Sequence, residues 1–132
     1  MANKTYKDLI EEAEAEIETW TAEQAKANHG KENIKFIDLR DIRELYRTGK
    51  IATAFHAPRG MLEFWVCPES PYHKDFFADT SSTYVFYCQS GWRSALAAKA
   101  VKELGMENVS HIGGGFSAWL EADGEVETVE KK

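Results

Sequence analysis

The sequence has few residues that could crosslink a small chain, and it has no long apolar run. Only two of the 132 residues are cysteine and only three are proline. Two cysteines do not make the disulfide framework of a small secreted domain, so we expect reduced thiols and a cytoplasmic location. No run of about 18 apolar residues occurs, so we expect neither a membrane-spanning helix nor a signal peptide.

An excess of positive charge is also missing. The chain has 16 Lys and Arg residues against 22 Asp and Glu residues, which gives a net charge of −6. Nucleic-acid binding needs a basic face that neutralises phosphates, so no nucleic-acid partner is expected. The excess acidic residues lie in the two ends, 1–32 and 121–132, and the body between them is nearly neutral. A local positive site for an anion is compatible with this distribution.

The length fits one domain, and its apolar pattern alternates strands with helices. Strands are predicted at 34–39, 52–56, 83–87 and 108–112, and helices at 5–17, 21–28, 41–47, 92–104 and 116–121, with short helical turns within 59–79. This order predicts a largely parallel sheet covered on both faces. We expect an N-terminal amphipathic helix over 1–16, a domain over 17–124 and an acidic tail over 125–132.

The strand–loop–helix around Cys88 is the most informative segment. Cys88 follows the strand at 83–87, and parallel α/β sheets bind ligands at the carboxyl ends of their strands. Gly91 allows a tight turn, so that successive backbone N–H groups converge on the sulfur at the positive end of the following helix. Further donors follow in the sequence: Ser90, Arg93 and Ser94. These features favour the nucleophilic thiolate, whereas the alternative is a small core cysteine without chemistry.

Four motifs resemble those of rhodanese domains, in the family's order. Cys88-Gln89-Ser90-Gly91-Trp92-Arg93-Ser94 is similar to the C-x-x-G-x-R-S active-site loop of single-domain members. The segments 36–45, 49–58 and 113–119 resemble the family's other three motifs, although Lys50 and Thr53 replace its usual His and Gly. The resemblance covers residues 17–124. It implies a rhodanese-like three-layer α/β fold, with a central, mostly parallel five-stranded sheet and helices on both faces.

The resemblance implies a sulfurtransferase. In such enzymes the loop thiolate, here Cys88, takes the outer sulfur of a donor such as thiosulfate and passes it from a persulfide to a thiol or cyanide. The residues expected to hold the donor anion are Gln89, Ser90, Gly91, Trp92, Arg93 and Ser94. No cofactor and no metal are expected. A protein that accepts the sulfur is an alternative partner.

Several other residues are weaker candidates for the site. Arg59 could attract the donor, and Phe64 and Trp65 could line a pocket, although aromatic residues near helices more often belong to the core. Trp92 borders the loop and is as suited to a pocket wall as to packing. Cys67 is either a second thiol that meets Cys88 or a small packing residue.

Three further groups favour a structural interpretation. Asp38 closes a strand, and Arg40 has i,i+4 spacing to Glu44, which predicts a structural ion pair or cap. His56 and His73 could be combined with the cysteines as metal ligands. However, the spacing of Cys67 and His73 matches no common zinc motif, so packing or surface histidines are favoured.

Two other classes of function are open to the same loop. Cysteine-dependent phosphatases and arsenate reductases use a C-x5-R loop with room for a tetrahedral oxyanion. This chain has the shorter C-x4-R spacing from Cys88 to Arg93, which suits a single sulfur atom better. A non-enzymatic persulfide carrier or regulatory rhodanese-like module is the third class, and retention of the cysteine favours a carrier over an inactive module.

Overall fold

The computed structural model describes residues 3–131. Its helices are α1 (Tyr6–Glu16), α2 (Ala22–Asn28), α3 (Ile42–Thr48), α4 (Leu62–Val66), α5 (Trp92–Glu103) and α6 (Gly115–Glu121). Its strands are β1 (Glu18–Trp20), β2 (Ile34–Asp38), β3 (Lys50–Ile51), β4 (Phe55–His56), β5 (Thr83–Tyr87), β6 (Val109–Ile112) and β7 (Val126–Glu127). Short 3₁₀ turns lie at Arg59–Met61 and Asp75–Ala78. No helix within residues 3–131 is both long and apolar enough to cross a membrane.

The central sheet has five strands in the order β1-β6-β5-β2-β4, and every pair is parallel. Parallel neighbours need crossover connections, which the helices provide. The carboxyl ends of β2 and β5 lie side by side, because Asp38 pairs with Tyr87 in the register. The predicted α/β fold with a mostly parallel five-stranded sheet is confirmed.

Alternate residues of the central strands serve two separate hydrophobic cores. On β5, Tyr84 and Phe86 pack in the core beneath α4 and α5, whereas Val85 and Tyr87 pack in the core that includes Phe116 and Trp119 of α6. These four of the five β5 residues are buried, as expected for a strand covered on both faces. The layers are therefore α1, α4 and α5 on one side of the sheet and α2 and α6 on the other.

Side-chain hydrogen bonds from N-cap residues fix the starts of α2 and α1. The Gln24 backbone N–H donates to Thr21 Oγ1 at 3.0 Å, so Thr21 is the N-cap of α2. At α1, Thr5 and Asp8 form a reciprocal capping box. This box fixes the start of an exposed helix, and α1 then packs along α5.

The predicted strand at 52–56 is partly wrong, and strand β1 was not predicted. Only Phe55 and His56 pair with β2, because Thr53 has a φ of +72° and residues 52–54 turn. The preceding β3 pairs instead with β7 in a small antiparallel sheet. β7 lies within the segment predicted as an acidic tail, and it closes over Gly49, where a Cβ would meet the Val126 side chain at 3.0 Å.

Candidate active site

Cys88 lies directly after β5, one residue beyond the last paired position. Its sulfur accepts a hydrogen bond from the Gly91 backbone N–H at 3.2 Å. Gly91 has a φ of +101° and precedes α5 directly, which places the sulfur at the positive end of that helix. The thiol also contacts Ser94 Oγ at 3.7 Å, and Cys88 is only 1% exposed.

The loop directs fewer backbone donors at the sulfur than the sequence suggests. Within residues 3–131, one backbone N–H, that of Gly91, donates to Cys88 Sγ. The expected convergence of successive N–H groups on this atom is therefore wrong for the resting loop. A further polar contact is the Ser94 hydroxyl, which comes from the first turn of α5 rather than from the loop backbone.

The Gly113-Gly114-Gly115 turn and the start of α6 hold the backbone of the cysteine loop through hydrogen bonds. The backbone N–H of Phe116 donates to the Cys88 carbonyl at 2.8 Å, and that of Ser117 donates to the Gln89 carbonyl at 3.1 Å. A Cβ on Gly115 would lie 2.8 Å from the Gln89 carbonyl oxygen, closer than side chains approach. The glycine-rich motif at 113–119 thus packs directly against the cysteine loop.

Gln89 connects the loop to a buried arginine. Its Oε1 accepts from Arg40 Nη1 at 3.1 Å, and its Nε2 donates to Ser117 Oγ at 3.0 Å. Arg40 is fully buried, and its Nη2 donates to Asp38 Oδ2 at 2.8 Å and to the Gly49 carbonyl at 2.6 Å. The predicted structural role of Asp38 and Arg40 agrees with this network. The amide of Gln89 is occupied by the fold and does not point freely at a ligand.

Arg93 forms a two-pronged ion pair with Glu44 of α3. Its Nη1 and Nη2 donate to Oε1 and Oε2 at 3.0 and 3.2 Å. Burial raises the pKa of Glu44, but the hydrogen bonds and positive charge of Arg93, with a contribution from Arg40, outweigh burial and lower it overall. The predicted pairing of Arg40 with Glu44 is therefore wrong. Glu44 binds Arg93, and Arg40 binds Asp38.

Two other loop side chains lie on the outside. Ser90 is exposed, and Trp92 is 52% exposed. The Trp92 ring contacts the ring of Tyr6 on α1, with centroids 4.9 Å apart and a tilt of 49°. The first turn of α1 thus lies beside the cysteine loop, and the two rings form part of its outer rim.

The three candidate pocket residues lie in α4 and in the 3₁₀ turn before it, and two of them are held by neighbouring side chains. Arg59 Nη1 pairs with Glu63 Oε1 at 2.7 Å. Trp65 packs edge-on against Phe55 and lies beneath the Lys74 ammonium, 4.5 Å from the ring centroid. Phe64 is 52% exposed. Within residues 3–131, Arg59, Phe64 and Trp65 form no hydrogen bond, ion pair or aromatic contact with the cysteine loop.

Cys67 lies towards the other end of the sheet. Its sequence neighbours Val66 and Pro68 line a cavity of about 330 Å³, together with Ser82 and Asn108, which precede β5 and β6. Cys88 lies at the carboxyl end of the same strands. Both cysteines are free thiols, and this arrangement separates them. The cavity holds no cysteine or histidine, so its volume does not mark it as the chemical site.

His111 is a site residue that the sequence analysis missed. It lies on β6 and is fully buried, and its Nδ1 is 2.9 Å from Ser94 Oγ. Its Nε2 is 3.2 Å from Glu14 Oε2 and 3.1 Å from Thr19 Oγ1. A signal was present, because a histidine interrupts the last apolar strand just before the glycine-rich turn. Glu14 left no signal, since it is one of many acidic residues on an exposed helix.

The other histidines make structural contacts. His56 Nε2 lies 2.7 Å from the Arg40 carbonyl oxygen, and His73 Nε2 lies 3.7 Å from Asp75 Oδ1. Across residues 3–131, no three His, Cys, Asp or Glu side chains are grouped so that they could hold a metal ion.

Three solved structures are similar to this chain in fold. A protein of unknown function from Rhodopseudomonas palustris, described as a possible tyrosine phosphatase, is 45% identical, with a TM-score of 0.92 over 96% of this chain and 97% of that one. The polysulfide-sulfur transferase of Wolinella succinogenes is 26% identical, with a TM-score of 0.73 over 95% and 88%. A rhodanese-related protein of Thermoplasma volcanium is 23% identical, with a TM-score of 0.68 over 85% and 99%.

Among curated proteins, none matches this chain significantly. The family model of the rhodanese-like domain matches residues 21–122, which include the cysteine loop, the glycine-rich turn and all of the central sheet except β1. With this match over most of its length, the chain belongs to the rhodanese-like domain family.

Proposed function

We propose that this protein is a sulfurtransferase that moves sulfane sulfur from an anionic donor such as thiosulfate to a thiophilic acceptor through a persulfide on Cys88. The observation that carries the proposal is the Cys88 loop itself. Its sulfur accepts the Gly91 N–H at the start of a twelve-residue helix, and Arg93 follows with C-x4-R spacing. The similar protein of Wolinella succinogenes, a polysulfide-sulfur transferase, supports the same class of chemistry.

The reaction has two displacements at sulfur. In the first, the Cys88 thiolate attacks the outer sulfur of thiosulfate, the S–S bond of the donor breaks, and sulfite leaves with the electron pair. In the second, cyanide or a thiolate attacks the outer sulfur of the persulfide, and the Cys88 thiolate leaves. The Gly91 N–H and the start of α5 stabilise the negative charge on Cys88 before the first step and after the second. No oxidant or reductant is consumed with cyanide as the acceptor.

The enclosure of Cys88 favours a small reacting group. The residue is 1% exposed, and its loop has four residues between the cysteine and the arginine. A single outer sulfur atom needs less room above the thiolate than a phosphoryl group, which carries three further oxygens. This argument favours sulfur transfer over the phosphatase activity suggested for the relative from Rhodopseudomonas palustris.

The test is a steady-state assay with thiosulfate as the donor and cyanide as the acceptor. Wild type should form thiocyanate, and Cys88→Ser should not, because an alcohol at this position cannot form a persulfide. Cys67→Ser is the matched control, since it removes the other thiol and should keep most of the activity. Mass spectrometry after treatment with thiosulfate alone should find one added sulfur atom on the Cys88 peptide.

Two other results would replace the proposal. Hydrolysis of an aryl phosphate that depends on Cys88 would assign a phosphatase. Loading of Cys88 with sulfur, followed by release only to a protein thiol and never to cyanide or small thiols, would assign a persulfide carrier. The proposed partners are therefore a small sulfur-donor anion and a thiol, cyanide or protein acceptor, with no nucleic acid and no membrane.

A further inference from the structure

A chain of hydrogen bonds leads from the Cys88 sulfur to the surface of the molecule. The Cys88 thiol lies 3.7 Å from Ser94 Oγ, and Ser94 Oγ lies 2.9 Å from His111 Nδ1. On the far side of the ring, His111 Nε2 lies 3.2 Å from Glu14 Oε2. Cys88, Ser94 and His111 are buried, whereas the Glu14 side chain is 41% exposed. The chain therefore connects an enclosed thiol with water.

The partners fix the direction of each hydrogen bond. An ionised carboxylate can only accept hydrogen bonds, so His111 Nε2 carries a proton and donates to Glu14 Oε2. In the neutral ring Nδ1 is then bare and accepts from the Ser94 hydroxyl. The serine oxygen keeps lone pairs for the Cys88 thiol proton. The Gly91 carbonyl is the other acceptor within reach of the Ser94 hydroxyl, but at 3.3 Å it lies farther from Ser94 Oγ than His111 Nδ1 does at 2.9 Å.

The surroundings of His111 leave its ring available as a base. Burial lowers the pKa of His111, and the charge and hydrogen bond of Glu14 oppose this without reversing it. A ring that is neutral at neutral pH can accept a proton, and the nearby carboxylate then stabilises the imidazolium that forms. His111 Nε2 also contacts Thr19 of β1, which is uncharged, and the Cys88 thiol lies on the far side of Ser94. Glu18 of β1 binds the neighbouring Ser110 instead.

We propose that Ser94 and His111 relay the Cys88 thiol proton towards Glu14, and that Glu14 of α1 is a positioning residue for the reactivity of Cys88. The proposal rests on Cys88 being the nucleophile of the proposed sulfurtransferase. It adds a contribution from outside the family's own domain, because α1 precedes the matched residues 21–122. Nothing in the cysteine loop itself would reveal this contribution.

Protons and electrons balance in the relayed step. The Cys88 S–H bond breaks as its proton passes to Ser94 Oγ, and the hydroxyl proton of Ser94 passes to His111 Nδ1. The sulfur electron pair forms the new S–S bond, and the leaving group departs with the pair of the bond that breaks. After transfer to cyanide, Cys88 leaves the persulfide as a thiolate and takes a proton back along the same chain.

Glu14→Gln tests the relay with little risk to folding, since the side chain is partly exposed. Its matched control is Glu16→Gln on the same helix, which removes the same charge from a carboxylate that lies 3.6 Å from Lys99 Nζ. The probe is methyl methanethiosulfonate, a small uncharged thiosulfonate that a thiolate attacks at sulfur, with sulfinate as the leaving group. Peptide mass spectrometry follows Cys88 and Cys67 separately.

In neutral buffer, Glu14→Gln should slow the modification of Cys88 roughly three- to tenfold, because the ring loses a partly exposed charge partner. In alkaline buffer, hydroxide removes the thiol proton directly, so the rates of wild type and Glu14→Gln should converge. Glu16→Gln should follow wild type throughout, and Cys67 should react equally in all three proteins. Glu14→Asp should recover part of the neutral rate.

A slowing by Glu14→Gln that is the same at every pH, or a neutral-pH rate equal to that of wild type, would overturn the relay. His111→Gln gives the second measurement and should produce the same convergence with a larger effect at neutral pH. The probe needs no sulfur donor or acceptor. The relay is therefore tested even if the protein transfers no sulfur, and the failure of the two proposals can be told apart.

Discussion

The Arg93 guanidinium and the Glu44 carboxylate form a paired contact at 3.0 and 3.2 Å, which joins the start of α5 to α3. The glutamate also has a lowered pKa, so it keeps its charge next to the arginine in mildly acidic solution. Arg93 is therefore held in place and largely neutralised, although the sequence suggests a free positive charge beside Cys88. Any donor anion that binds at Arg93 must compete with Glu44.

This competition predicts that Glu44→Gln tightens the binding of an anionic donor. The amide keeps a hydrogen-bond acceptor for Arg93 but removes the negative charge. The KM for thiosulfate should fall about threefold, as expected for one charge at a partly exposed site. Steady-state kinetics with varied thiosulfate measure the change, and Glu12→Gln controls for net charge, because Glu12 pairs with the exposed Lys4. A raised KM would mean that Glu44 mainly orients Arg93.

The same residue predicts a dependence of stability on acid. The folded pKa of Glu44 is lower than its unfolded value of about 4.3, so the unfolded chain binds this proton more readily. The contribution of Glu44 to the free energy of unfolding is thus complete above the unfolded pKa. It is lost as pH falls through the folded pKa.

Urea unfolding of wild type and Glu44→Gln at a series of pH values from neutral to acidic would measure this loss. The difference in unfolding free energy between the two proteins should shrink as the pH falls below about 5. A constant difference across the series would show that the ion pair contributes no pH-dependent stability.

Cys67 should be dispensable for sulfur transfer. Its neighbours line the cavity at the amino-terminal ends of β5 and β6, and it forms no disulfide with Cys88. Cys67→Ser should retain most of the wild-type rate of thiocyanate formation. Loss of turnover in a variant whose circular dichroism and melting temperature match wild type would show that Cys67 takes part in the chemistry.

Local patterns predicted the parts of the fold that depend on local interactions. The predicted strand at 83–87 and the predicted helix at 21–28 both depend on residues that are neighbours in the sequence, and both appear in the structure. β1 has only three residues, and it is specified by pairing with β6 across about 90 positions of sequence. Propensity within Glu18–Trp20 could not indicate it, because its partner provides the backbone hydrogen bonds.

For the site as well, the sequence predicted the residues of one local segment and missed the partners from distant segments. The sequence identified Cys88, Gly91 and Ser94, which lie on one strand–loop–helix. It did not identify the partners that other elements bring to them, namely Glu44 of α3 and His111 of β6. The i,i+4 spacing of Arg40 and Glu44 suggested a local pair. The buried Asp38 carboxylate binds Arg40 instead, and both of its oxygens accept hydrogen bonds from the guanidinium.

Gly115 predicts how sensitive the cysteine loop is to its support. The residue has a φ of +57°, and an added Cβ would lie 2.8 Å from both the carbonyl carbon and the carbonyl oxygen of Gln89. Gly115→Ala combines a strained backbone with a clash against backbone atoms that have no room to rotate away. We expect a loss of at least about 2 kcal/mol in unfolding free energy.

The loop should also move in Gly115→Ala, because the Phe116 N–H holds the Cys88 carbonyl at 2.8 Å from this same turn. The rate of thiocyanate formation should therefore fall even at temperatures where the variant is fully folded. Gly60→Ala is the matched control, since a Cβ there meets nothing within 4 Å and the backbone is not in the left-handed region. Urea unfolding and steady-state kinetics on both variants separate the two effects. Wild-type turnover by folded Gly115→Ala would show that the glycine-rich turn stabilises the domain without positioning Cys88.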